Sequence, residues 1–61
     1  MYYKFKKLLE ERGITTYKVS KDTGISNVTF SNWKNGLITP KVDKLKILSE
    51  YFGVSLDYFI E

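Results

Sequence analysis

The chain has 61 residues with no cysteine or histidine, ten Lys and Arg against seven Asp and Glu, and a formal net charge of +3. A chain this short makes one small domain, burying about 60% of the surface its unfolded form exposes, with no disulfide or thiolate-held metal to staple it. Lack of histidine removes the commonest general base and metal ligand, and so small a body has little room to enclose a substrate, so neither an enzyme, a metal site, a cofactor nor a small-molecule ligand is expected.

Tyr2, Phe5, Leu8, Leu9 and Arg12 recur at i, i+3, i+4 and i+7 spacing, which predicts an amphipathic helix over residues 2–12. Gly13 ends it, as a glycine after a helix commonly does. Thr15 is placed to cap a second helix over 16–23, with Val19, Ser20 and Thr23 inward. Gly24 breaks that pattern, and Ser26 caps a third helix over about 27–34 that turns Phe30 and Trp33 to one face. Asn35-Gly36 stops it. Leu37-Ile38-Thr39-Pro40 reads as a loop, with Pro40 at or just before the first turn of a fourth helix, from about 41 to 52. Val42, Leu45, Leu48 and Phe52 form its stripe, with Ile47 and Tyr51 beside it. Gly53 terminates that helix, and Ser55 caps a last one, 56–60, with Leu56 and Phe59 inward. Strand-like alternation persists nowhere. The expectation is an all-α fold, a compact five-helix bundle with residues 1–61 as one domain. The charged N-terminal stretch Met1–Gly13 lacks the apolar core of a signal peptide, and no 18-residue apolar run exists. A cytoplasmic protein without a membrane span is therefore expected, in keeping with the missing cysteines.

Only Gly24-Ile25-Ser26 separates the second helix from the third. So short a link prevents antiparallel packing and forces a steep crossing, the geometry of a helix-turn-helix. Gly24 stands where the chain must leave the second helix in a left-handed conformation, which glycine adopts without steric cost. With Phe30 and Trp33 inward, the third helix turns Asn27, Val28, Ser31, Asn32 and Lys34 outward, with Thr29 at the flank. These short polar groups, one small apolar group and a cation suit a helix entering the major groove of DNA, about 12 Å wide. Charge is distributed to match. Residues 1–46 hold all ten basic residues against four acids, a local balance of +6, whereas residues 47–61 hold only Glu50, Asp57 and Glu61. One part of the molecule is thus suited to a polyanion. A solvated lysine-rich surface and an ordinary polar helix face explain each feature singly; the turn spacing tips the balance toward DNA.

The ordered set Gly13-Ile14-Thr15, Gly24-Ile25-Ser26, Phe30, Asn35-Gly36, Pro40, Leu45 and the tail Tyr51-Phe52-Gly53-Val54-Ser55-Leu56-Asp57-Tyr58-Phe59 carries a resemblance. Through it the chain resembles the Cro/repressor-type (XRE-like) helix-turn-helix family over nearly its whole length. The resemblance implies a lambda-repressor-like fold and a prokaryotic or phage-encoded transcription regulator. Such a protein binds double-stranded operator DNA as a homodimer, and a repressor of a phage or mobile element is the expected role. By position, Ser26, Asn27, Val28 and Asn32 face base edges, with Ser31 beside them. Thr16 occupies the place of a glutamine that bonds a phosphate and braces a base-reading residue. Asn35 and the Gly36 amide match a backbone clamp, Lys41 matches a basic residue beside phosphate or minor groove, and Thr15 and Tyr17 add phosphate contacts.

Three departures stand out. Thr16 replaces the amide and weakens the brace. Leu9 and Lys34 replace an Arg–Glu ion pair common among relatives, and losing both together avoids a buried unpaired charge. Leu9 is expected to pack on Phe30 or the Lys34 stem, freeing the ammonium for phosphate. Thr23 fills a usually apolar position, an expected mild loss of packing with no functional meaning. The alternative is a protein-interaction or dimerisation module, antitoxin-like, using Tyr58 and Ile60 exposed on the last helix. The same patch would meet a C-terminal domain in longer relatives.

Overall fold

The computed structural model describes residues 1–60. In chain order it contains α1 (Tyr2–Arg12), α2 (Thr16–Thr23), α3 (Asn27–Lys34), α4 (Val42–Phe52) and α5 (Asp57–Ile60), with no strand among the described residues. Side-chain oxygens cap two of these helices: Thr15 accepts from the Lys18 N–H at 3.3 Å and Ser26 from the Val28 N–H at 3.1 Å. Each supplies an acceptor that the first turn of a helix lacks.

The core gathers Phe5, Leu8 and Leu9 of α1, Val19 of α2, Ile25 of the turn, Phe30 and Trp33 of α3, Leu45, Leu48 and Phe52 of α4, and Phe59 of α5. Phe5 is its hub. Its ring stacks on Phe30 at 4.9 Å and on Trp33 at 5.2 Å, and meets Phe52 edge-on at 6.0 Å. One fully buried ring thereby fixes α1, α3 and α4 together, each aromatic pair adding about 0.5–1.5 kcal/mol beyond its buried area.

Polar contacts tie the rest. The Tyr51 hydroxyl donates to the Asp22 carboxylate at 2.6 Å, and Lys18 pairs with the same carboxylate at 3.0 Å, joining α2 to α4. The Arg12 guanidinium donates to the Phe52 carbonyl and lies over the Phe52 ring, 5.4 Å from its centroid. A cation at the C-terminal end of α4 meets the negative end of that helix's dipole.

Several expectations need correction. α4 starts at Val42, because Lys41 is extended (φ −73°, ψ 167°) and serves as N-cap, and α5 starts at Asp57, leaving Leu56 in the preceding turn. Val42, the first residue of α4, is 61% exposed, and Ile47 is also exposed. Ser49 takes an inward place instead, its hydroxyl donating to the Lys46 carbonyl at 2.8 Å. Tyr58 is half-buried rather than exposed: its hydroxyl donates to the Lys4 carbonyl at 3.4 Å, and the Lys4 ammonium lies 5.5 Å from its ring centre.

Candidate nucleic-acid interface

The turn that aims α3 begins at Gly24, with φ 81° and ψ 2° in the left-handed region, its N–H donating to the Ser20 carbonyl at 2.9 Å. Thr23 proves to be the fastener of this turn, not a packing defect. Its hydroxyl donates to the Val19 carbonyl at 2.7 Å and accepts from the Ile25 N–H at 3.2 Å. A valine of similar shape can do neither. Ile25, buried in the core, then anchors the far side of the turn, and α3 departs from the Ser26 cap.

Phe30 and Trp33 hold the inner side of α3, as their spacing predicts. Outside, Val28 is 65% exposed, Asn27, Ser31, Lys34 and Asn35 are exposed, and Asn32 is half-buried. The Asn32 carbonyl accepts from the N–H groups of Leu37 (2.8 Å) and Ile38 (3.4 Å), so the loop after α3 is fastened to the helix's last turns. Helical spacing divides this surface into two strips. Asn27, Ser31 and Lys34 border a groove of about 690 Å³ against α1, whereas Val28 and Asn32 lie further round the helix and do not line it.

Thr15 and Thr16 of the α2 entrance line the same groove, so α3 and the start of α2 share one face. Thr15 accepts a capping bond through its oxygen and keeps its hydroxyl proton for a ligand. Leu9, Phe30 and Lys34 line that groove together, and Leu9 is buried. Among the described residues the one ion pair is Lys18–Asp22, so Lys34 is not tied to an acid. Tyr17 is 66% exposed on α2 but does not line the groove. Lys41 stands in a second hollow with Thr29, Pro40 and Lys44, at the start of α4. The Gly36 amide is engaged, donating to the Trp33 carbonyl at 3.1 Å, and the Asn35 N–H donates to the Ser31 carbonyl at 3.1 Å. That leaves the Asn35 side chain as the exposed polar group of the pair.

Electrostatics at the edge of the face follow from the α2–α4 link. The Tyr51 hydroxyl, then the Lys18 ammonium, hold the Asp22 carboxyl below its ordinary value. In return the bond to Asp22 raises both Lys18 and Tyr51. Burial raises Tyr2, whose ring packs edge-on to Trp33 at 5.4 Å. Sequence periodicity missed Thr23 and the Asp22–Tyr51 bond, because neither depends on an apolar stripe.

The helix-turn-helix family model matches residues 5–59, nearly the whole chain. The chain belongs to the Cro/repressor-type (XRE) helix-turn-helix family. No curated protein and no solved structure matches it. XRE-type proteins are DNA-binding regulators, and this chain is one of that type. Among the described residues no helix is long and apolar enough to cross a membrane, and no cluster of three or more His, Cys, Asp or Glu is placed to hold a metal ion.

Proposed function

We propose that this XRE-type regulator is a repressor that reads a two-fold operator with α3 in the major groove. One observation carries the reading: Val28, with about two-thirds of its surface in solvent, stands among Asn27, Ser31 and Asn32 on a helix whose other side is locked into the core. On that face of short polar groups a valine packs well on a thymine methyl, and asparagine can bond adenine N6 and N7 together. Ser26, which caps α3, is close enough to its start to join them. Lys34 and Lys41 supply sequence-independent affinity by releasing counterions. The hydroxyls of Thr15, Thr16 and Tyr17 and the Asn35 side chain hold phosphates and set the register. The Gly36 amide contributes by closing the end of α3 on Trp33.

A helix of eight residues is about 12 Å long, enough for only a few base pairs, so discrimination calls for two copies. Half-sites lie about 34 Å apart on one face of the duplex. The chain measures 24 × 23 × 19 Å, and two such bodies with side chains nearly touch across that distance. Ile60, 53% exposed on α5 beside Asp57, is the apolar group for a contact between copies; Tyr58 is tucked against α1. Repression then follows from occupying a promoter, a step that rests on likeness to the family.

Selection of binding sites from a random duplex pool tests the reading. The expected result is an enriched palindrome with half-site centres about ten base pairs apart. A pool that stays unenriched, with binding that random DNA competes away equally, overturns it and favours a protein-docking role for the α5 surface.

A further inference from the structure

We infer that the DNA interface extends beyond the helix-turn-helix onto α1, where Lys6 holds a backbone phosphate at the groove between α1 and α3, beside Lys34. The inference rests on the reading that α3 enters the duplex, and it adds a contact that the helix-turn-helix motif does not include.

Tyr2, Lys6 and Glu10 follow one another at four-residue spacing, so they share one strip of α1. That strip forms the wall of the groove opposite Asn27, Ser31 and Lys34. The edge-on contact of Tyr2 with Trp33 at 5.4 Å places the first turn of α1 beside the last turn of α3, the end that carries Lys34. Lys6 lies one turn further along and Glu10 two turns. Two cations from facing walls thus stand toward one end, with the groove's acid beyond them.

The floor between them is apolar, made by Leu9 and Phe30, both buried. An apolar floor suits the methylene stem of a lysine, which lies along it and carries the ammonium to the rim. It also lowers the local dielectric, so charges at the rim act more strongly than over open water. Lys6 is exposed and has no acid within ion-pair distance among the described residues. Tyr2 lines the same wall, and its phenol, protonated at neutral pH as a tyrosine ordinarily is, can donate a hydrogen bond. Two ammonium groups and a phenol that donates make a site for an anion.

The anion is the DNA backbone because the groove is continuous with Thr15, Thr16 and Asn27, which face the duplex in the proposed docking. A strand lying against those residues runs over the groove without any change in the protein. Glu10 fixes the position of the phosphate by exclusion, since a second anion near its carboxylate is repelled.

The test is a salt titration of the selected operator duplex by fluorescence anisotropy, with wild type, Lys6→Gln, Glu10→Gln and Lys7→Gln. Lys7 is on α1 but does not line the groove. Lys6→Gln should lower the slope of log affinity against log salt by about 0.9, so that between 50 and 200 mM salt it loses about three- to fourfold less affinity than wild type. It should weaken operator and random duplex alike, because a phosphate contact carries no sequence information. Glu10→Gln should tighten binding, and Lys7→Gln should leave the slope in place. A scan of single methylphosphonate substitutions should find one phosphate per half-site whose neutralisation weakens wild type but not Lys6→Gln. If wild type binds its operator and Lys6→Gln keeps the wild-type slope, the inference is overturned while the reading of α3 stands. If wild type shows no salt-dependent binding to any duplex, both fall. Trp33 fluorescence melting of each variant confirms that it is folded.

Discussion

Replacing Thr23 with valine keeps the shape of the side chain and deletes its hydroxyl. In the native turn that hydroxyl gives a hydrogen bond to the Val19 carbonyl (2.7 Å) and takes one from the Ile25 N–H (3.2 Å). The carbonyl lies within α2, so its loss is the smaller part, about 0.5–1.5 kcal/mol at most. The Ile25 N–H is left without an acceptor in a half-buried turn, which costs about 1–3 kcal/mol, toward the low end because water can approach. The added methyl returns less than about 0.8 kcal/mol, since the site is only half-buried. The net is a destabilisation of about 1–2 kcal/mol, which for a domain this small lowers Tm by about 4–16 °C. Trp33 is the chain's one tryptophan and is buried, so its fluorescence reports the transition directly. Thr23→Ser retains the hydroxyl and should recover most of the loss. A Thr23→Val protein as stable as wild type, or a Thr23→Ser protein as damaged as the valine variant, would refute the role assigned to this hydroxyl.

Other outcomes follow from single groups. Lys34→Glu should weaken DNA binding and flatten the salt slope by about one unit; an unchanged slope in anisotropy titrations contradicts the freed ammonium. Asp22 is held below its ordinary pKa by Tyr51 and Lys18, so its contribution to stability is present above about pH 4 and is lost as pH falls through the lowered value. Melting curves at pH 3 and pH 6 should therefore differ more for wild type than for Asp22→Asn, and an equal difference argues against the α2–α4 link.

Most of the fold is legible in the sequence because it rests on local signals. Stripe spacing places Phe5, Leu8, Phe30, Trp33, Leu45 and Leu48, and the caps Thr15 and Ser26 with the left-handed glycines fix the ends of α1, α2 and α3. What escapes depends on partners far along the chain. Val42 has stripe spacing, yet at that end of α4 nothing packs over it. Tyr58 looks exposed on a wheel of α5 and is covered only because the start of α1 passes beside it. Arg12 shares the spacing of core residues but uses it to reach the Phe52 carbonyl forty positions away. Of the candidate site, the outward strip of α3 is legible from the inward residues, by elimination. Thr23 is not, because a hydroxyl in a turn reveals neither its donor nor its acceptor until the turn is built.

In the proposed docking, α3 reads base edges. Binding energies measured base by base on the selected operator, for wild type and Asn32→Ala, put it to the most direct test. Relaxed preference is expected at one defined base pair per half-site, at a cost of about 1–3 kcal/mol, with the other positions unchanged. An even loss across the whole site with the preference intact would contradict it.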